Sequence, residues 1–337
     1  MKAVGYFKPL PIQEAEALLD LEVPEPTLRE RDLLVSVKAV SVNPVDTKIR
    51  AGRPASGGQP QVLGWDAAGV VEAVGAKVTD FKPGDRVWYA GDLNRAGSNA
   101  ERQAVDERVV GLMPASIGFA AAAAIPLTTI TAWEVLFDRL RVQYAEPTAH
   151  NVLLVIGASG GVGSILVQLA RKLTGLTVIA TASREETREW VREMGAHHTL
   201  DHSKPWKRQL EELGFNDVTH VVGLNHTATY LAQIVDVLRP EGQFALIDDP
   251  KVLDIAPFKS KSLSVHWEFM FTRSLFNTAT QSRQHDLLNR VAALIDGGTL
   301  RPTVTQRLEG IRADNLKAVH AQIESGGTRG KVVLEGF

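Results

Sequence analysis

The residues best suited to chemistry stand in one short run. Gly157, Ala158, Ser159, Gly160, Gly161, Val162 and Gly163 follow the apolar stretch Val152–Ile156 and lead into a second apolar-patterned segment ending near Thr174. A buried strand that enters a glycine turn and leaves as a helix is built to hold phosphate. Glycines allow the tight turn and the close approach of backbone to ligand, and the helix start offers free N–H groups and a partial positive charge. With strand and helix on either side, the run predicts a dinucleotide pyrophosphate site.

Residues 157–161 also read Gly-x-Ser-x-Gly, the elbow that exposes a nucleophilic serine in hydrolases. Asp248 or Asp249 and His266 or His285 follow in the order such a triad requires. Gly163 favours the dinucleotide reading. An elbow has no need of it, whereas close packing of helix on strand in a dinucleotide fold does. Nineteen residues beyond Gly163 come Ala182, Ser183 and Arg184, where an enzyme using NAD usually carries a carboxylate for the ribose. A hydroxyl and a guanidinium instead suit a 2′-phosphate, which arginine binds through paired charged hydrogen bonds. NADPH is therefore the expected cofactor. The plainer alternative is that Ser183 caps the next helix and Arg184 is solvated.

Elements must exist to position these groups. The first 120 residues read as mostly β, with strands over 33–40, 69–75 and 86–90 and a turn at Lys82-Pro-Gly-Asp85. From about Ala120 the pattern changes to strands near 152–156, 177–181, 198–200, 220–222 and 244–247, alternating with helices over 163–174 and 185–194. That alternation predicts a doubly wound parallel sheet. A polar helix over 284–296 and a last strand, Lys331–Glu335, then pack back on the first domain. The expected fold is α/β, with a β-rich domain over 1–125 and 268–337 and a nucleotide-binding domain over 126–267.

The length of 337 residues fits two domains. With 37 basic and 39 acidic residues, nothing predicts a nucleic-acid or anionic-membrane partner. The absence of cysteine removes disulfides and thiolate chemistry and fits a reducing, cytoplasmic setting. No signal peptide is read at the N-terminus, and the apolar run 119–130, bounded by Pro126 and threonines, reads as too short to span a membrane. His197, His198, Asp201 and His202 cluster like metal ligands, but strand alternation turns neighbours to opposite faces. Arg139, Arg141, Arg171 and Lys172 read as solvated charges.

Four motifs occur in order: Asn43-Pro-Val-Asp46-Thr-Lys48-Ile-Arg-Ala-Gly52, Gly64-Trp-Asp66-Ala-Ala-Gly69, Lys82-Pro-Gly-Asp85-Arg-Val87 and the glycine turn. Together they resemble the medium-chain dehydrogenase/reductase superfamily, and within it the zinc-free quinone oxidoreductases of the zeta-crystallin type. The resemblance covers nearly the whole chain. It implies a GroES-like catalytic domain, an inserted Rossmann domain, an active site in the cleft between them and a homodimer. Zinc-dependent members hold their metal where Asn43, Trp65 and Leu127 stand here, and none of these is a good zinc ligand. No metal is expected.

The resemblance also places Asn43 and Asp46 beside substrate and nicotinamide, and Thr131 near the cofactor. The plain reading of the first two is a turn and a helix cap. Lys48 stands where related reductases commonly carry tyrosine, and is either a proton donor or a surface charge. Trp65 is a pocket wall or core, and Lys331 approaches the cofactor or lies at the surface. Trp267, Phe269, Met270 and Phe271 belong to a subunit contact or to an internal strand. The function implied is metal-free hydride transfer from NADPH to a quinone or similar activated carbonyl. Reduction of an enone or alkenal, or NADPH binding without turnover, are the alternatives.

Overall fold

The computed structural model describes residues 1–144 and 151–337. The chain forms two compact units, Met1–Ile130 with Phe271–Phe337, and Thr131–Met270.

The first unit is β-rich. Its long strand Asp32–Ser41 pairs antiparallel with Ala67–Val74, Arg102–Asp106 and the last strand Lys331–Glu335. Arg86–Tyr89 and Val110–Leu112 extend the sheet on one side, and Val304–Glu309 closes it on the other. Alternating Leu33, Val35 and Val37 are buried, as a half-buried strand requires. Val333 pairs with Ser41 and Leu334 with Val40, a register that runs Lys331 toward Asn43. A smaller sheet joins Leu19–Glu22, Lys2–Tyr6 and Gln61–Val62. The segment after residue 270 thus completes the first unit, so that the second is inserted within it.

The second unit is a six-stranded parallel sheet in the order His198–Leu200, Thr177–Thr181, Val152–Ile156, Val218–Gly223, Leu238–Leu246, Ser264–Trp267. Numbered along the chain this is 3-2-1-4-5-6, the Rossmann order. Its central strand is buried from end to end, because helices cover both faces of a parallel sheet. Leu154, Ile156, Trp206, Phe244 and Phe258 belong to one core cluster of this unit.

Three features differ from the sequence reading. The apolar run does not stop at Ile130: the segment Phe119–Arg139, 21 residues long and apolar enough to cross a membrane, has 83% of its most apolar window buried in the fold, and comprises a short helix Phe119–Ala123, a break at Ala124 and Ile125, a helix Pro126–Trp133 and a wider π-helical stretch Glu134–Arg139. Pro126 does mark a boundary: the first helix ends at Ala123, and Pro126 opens the next segment, Pro126–Trp133, where its missing N–H breaks no helical bond. The glycine-turn helix begins at Gly161, two residues earlier than expected. Arg139 is not simply solvated: its Nε lies 2.7 Å from the buried Glu268.

Candidate functional site

In the second unit, the strand Val152–Ile156 ends directly in the turn. Gly157 has φ +76°, and a Cβ there would lie 2.6 Å from Asn225 Oδ1. Its N–H donates to Thr181 Oγ1 at 3.2 Å, tying the turn to the end of the second strand. Gly160 caps the helix Gly161–Leu173, whose first turn carries no acidic residue and no side-chain cap. A Cβ on Gly163 would stand 2.5 Å from Ala158 Cα, so only glycine lets helix and turn pack this closely. Ser159, Gly160, Gly161 and Val162 are all half-buried at the mouth of this turn. An uncapped helix start with free N–H groups is an anion site. By contrast, the helix Thr227–Val237 has its N-terminus occupied: Thr227 N donates to Asp248 Oδ2 at 2.9 Å.

Ser183 and Arg184 lie exposed just past the strand Thr177–Thr181. Arg184, not Ser183, is the cap residue of the helix Glu185–Glu193, and its side chain makes no capping bond, while Thr187 Oγ1 donates to Arg184 O at 2.8 Å. The Ser183 hydroxyl therefore does not serve the fold as a cap. Thr131 is 5% exposed within Pro126–Trp133.

The hydrolase reading finds no support in geometry. Among the described residues no hydrogen bond joins the Ser159 hydroxyl to a histidine. His285 lies in the first unit and is engaged by Val110 O at 2.7 Å and Asn289 Nδ2 at 2.9 Å. The histidine cluster is likewise dispersed into structural contacts. His197 bonds Val178 N and Arg171, while His198 meets Phe215 edge-on and His202 meets Tyr230 edge-on.

In the first unit, four polar side chains share a buried site: Asn43, Asp46, Asp66 and Lys331, each at most 3% exposed. Asn43 N donates to Asp46 Oδ2 at 2.8 Å, so Asp46 caps the helix Pro44–Gly52. Asn43 Nδ2 donates to Asp66 Oδ2 at 2.8 Å, and Leu127 N to Asp66 Oδ1 at 2.8 Å. Lys331 Nζ reaches Asp66 Oδ2 at 3.1 Å and Val42 O at 3.0 Å, and also bonds Asn43 Oδ1. Burial pushes the Asp46 carboxyl up to about 7, against the opposing pull of the Asn43 N–H and the Lys331 charge. It raises Asp66 and lowers Lys331 in the same way, each opposed by the other.

Lys331 is thus neither a surface charge nor an open group, and Asp66 is its partner. Sequence reasoning quoted both residues without joining them. The signal was an acidic residue and a lysine inside otherwise apolar strand ends. Trp65 is core: it is fully buried, donates to Asp92 O at 3.3 Å and meets Phe271 edge-on. Lys48 is exposed on the same helix as Asp46.

These features have counterparts in known proteins. Residues 29–132 match the alcohol dehydrogenase GroES-like domain, and residues 194–334 the zinc-binding dehydrogenase domain. A zinc-type alcohol dehydrogenase-like protein of Staphylococcus aureus strain MSSA476 is 40% identical over 99% of both chains. The chain belongs to the medium-chain dehydrogenase/reductase superfamily.

Within the superfamily, a crystal structure from Rhizobium etli CFN 42, provisionally assigned as a zinc-dependent alcohol dehydrogenase, is 53% identical with a TM-score of 0.96, covering 100% of this chain and 98% of that one. The quinone oxidoreductase of Pseudomonas syringae pv. Tomato DC3000 is 25% identical over 99% of both chains, with a TM-score of 0.83. The chloroplastic NADPH-dependent alkenal/one oxidoreductase of Arabidopsis thaliana is 38% identical over 55% of this chain and 49% of its own length. As a superfamily member the protein is an oxidoreductase, and its glycine turn fits a nicotinamide dinucleotide. Zinc fits poorly at the three positions where the resemblance places ligands. Leu127 is apolar, the Trp65 N–H is spent on Asp92 O, and the Asn43 amide is bonded at both ends. Among the described residues no group of three or more His, Asp or Glu side chains stands ready for a metal.

Proposed function

We propose that this protein is an NADPH-dependent, metal-independent quinone oxidoreductase. The observation that carries the reading is the donor set Asn43, Trp65 and Leu127, which offers a Lewis acid no seat. Quinones need none, because they are already electrophilic and require mainly orientation and a donor near the developing oxyanion. When bound, NADPH supplies a hydride from its nicotinamide ring. The remaining tasks fall to the chain. The turn from Gly157 to Gly163 holds the pyrophosphate, and Ser183 with Arg184 holds the 2′-phosphate. Asn43 and Asp46, buried and bonded to each other, act as positioning groups for the helix that carries Lys48. The exposed Lys48 ammonium donates the proton that the reduced quinone oxygen takes up. Thr131 supports the cofactor side.

Reduction of an enone or alkenal is the second reading, favoured by the likeness to the Arabidopsis enzyme. The chemistry is the same, with hydride delivered to the β-carbon of the activated alkene. The working form in this proposal is a cytoplasmic homodimer. Its support is the exposed Trp267, in the edge strand of the parallel sheet, and the exposed Phe269 two residues beyond it.

Loss of the nicotinamide absorbance of NADPH tests the reading, with 1,4-benzoquinone, 9,10-phenanthrenequinone, an enal and a simple aldehyde as acceptors, each repeated with NADH and with EDTA. Turnover of quinone that prefers NADPH and ignores EDTA is expected, and Lys48→Met should lower kcat more than KM. Turnover of the enal alone selects the second reading. Inactivation by EDTA, or reduction of none of the acceptors, overturns both.

A further inference from the structure

A cavity of about 240 Å³ lies wholly within the first unit, between the segments 23–29, 59–62 and 95–104. At roughly 30 Å³ per water it has room for about eight waters, or for one ring with small substituents. None of the residues assigned to the nucleotide, and none of the helix that carries Lys48, lines it.

The floor is apolar. Val62 and Ala100 are buried in a small cluster with Ala3, and Met1 and Val23 pack against it. One wall is fixed by main-chain contact. Gly97 N donates to Val62 O at 3.0 Å, and a Cβ on Gly97 would run into the Leu63 backbone, so glycine lets this wall lie flat on its neighbour.

The polar groups are held in place. Asp32, 1% exposed, takes Arg95 Nη1 at 2.7 Å and Nη2 at 2.6 Å, and the Arg29 N–H at 2.9 Å. Arg102 is shared by Glu72 and Glu25. The lining contains these three arginines and, among the described residues, no carboxylate. The carboxylates that pair with Arg95 and Arg102 stand outside the lining, so a ligand meets guanidinium first. Gln103 adds an observation of a different kind. It lines the cavity, is 4% exposed, and donates from Nε2 to Ala96 O at 2.9 Å, which fixes the amide. Its Oε1 is buried and accepts no bond among the described residues. A buried amide oxygen left bare is costly, and a ligand hydroxyl relieves that cost.

We propose that this cavity is a binding site for a small aromatic carboxylate that carries a hydroxyl. The ring lies on the Val62 and Ala100 floor, the carboxylate meets Arg29 and Arg95, and the hydroxyl donates to Gln103 Oε1. Arginine offers a carboxylate paired donors in one plane, and the anchoring of Arg95 by Asp32 removes freedom that binding would otherwise cost. The site stands apart from the nucleotide reading.

Calorimetric titration of the full chain with 4-hydroxybenzoate tests this, against benzoate, which lacks the hydroxyl, and phenol, which lacks the charge. 4-Hydroxybenzoate should bind saturably, and each of the others about tenfold more weakly, the worth of one lost bond. Arg29→Ala should weaken 4-hydroxybenzoate about tenfold and leave phenol within about twofold. Arg29 and Ala96 are both exposed, so replacing them spares the core. Ala96→Phe narrows the cavity from its rim and should abolish binding of all three, while Lys48→Met should change none. If Ala96→Phe lowers the melting temperature, Arg29→Ala alone carries the test. Retained binding in a stable Ala96→Phe, an Arg29→Ala variant that binds as the wild type does, or loss in Lys48→Met would put the ligand elsewhere and overturn the proposal. Equal affinities for the three ligands, or no saturable binding of 4-hydroxybenzoate, would overturn it too.

Discussion

Lys331 Nζ lies 3.1 Å from Asp66 Oδ2 in the interior of the first unit, joining the last strand of the chain to the end of the Gly64-Trp-Asp66 motif. Both groups are at most 3% exposed. Breaking one half of such a pair is costly because the other charge is left buried, typically by about 3–5 kcal/mol. Lys331→Met is therefore expected to lower the urea midpoint sharply. Adding Asp66→Asn should restore much of the loss, because the second charge goes with the first. A double variant no more stable than Lys331→Met would contradict this.

The glycine turn separates two glycines that look alike in sequence. A Cβ at Gly163 would strike the backbone of Ala158 at 2.5–2.6 Å, whereas at Gly160 the nearest atom is Gly157 O at 3.5 Å. Gly163→Ala should cost about 1–3 kcal/mol of stability and weaken nucleotide binding, as overpacking does. Gly160→Ala should fold normally. Thermal melts with and without NADP⁺ would show the difference.

Cofactor choice should follow the exposed Ser183 and Arg184. Removing the guanidinium with Arg184→Ala takes away charged hydrogen bonds to the 2′-phosphate and should reduce NADPH preference over NADH by about tenfold or more. The measurement is kcat/KM for each cofactor with one acceptor. An unchanged ratio would return Arg184 to the role of a surface charge.

His320 predicts a pH effect. It is fully buried on the helix Ala313–Glu324, neither ring nitrogen has a partner among the described residues, and burial with the nearby Arg50 charge lowers its pKa from 6.5 to about 3. Because the folded pKa is depressed, the unfolded chain binds more protons between about 6.5 and about 3, and stability falls as pH drops through that window. His320→Leu should remove this contribution. The variant should gain on the wild type between pH 7 and pH 5 in urea unfolding. A constant difference would show that His320 finds a partner in solution.

Much was legible along the chain because short-range patterns carry it. The strands Thr177–Thr181, His198–Leu200 and Lys331–Glu335 fall where alternation and β-branched residues put them. The first helix of the parallel sheet begins at Gly161 and not Gly163, because cap geometry depends on backbone angles that composition does not encode. Pro126 marks a boundary as read, since the helix Phe119–Ala123 ends before it; what composition does not encode is that the chain resumes as helix at the proline itself, whose missing N–H is harmless in a first turn.

By itself the sequence determined the strand–turn–helix that receives a dinucleotide, the absence of thiols, and the alternation that requires a parallel sheet. Each is a property of neighbouring residues or of composition. Only tertiary structure decided that Asp66 and Lys331, 265 residues apart, share one buried site with Asn43 and Asp46. It alone set Trp65 into the core and brought Asn225 against Gly157. Those contacts arise from strand register and from the crossing of distant segments. Burial then gives ordinary side chains the bonds and shifted proton affinities that no local pattern records.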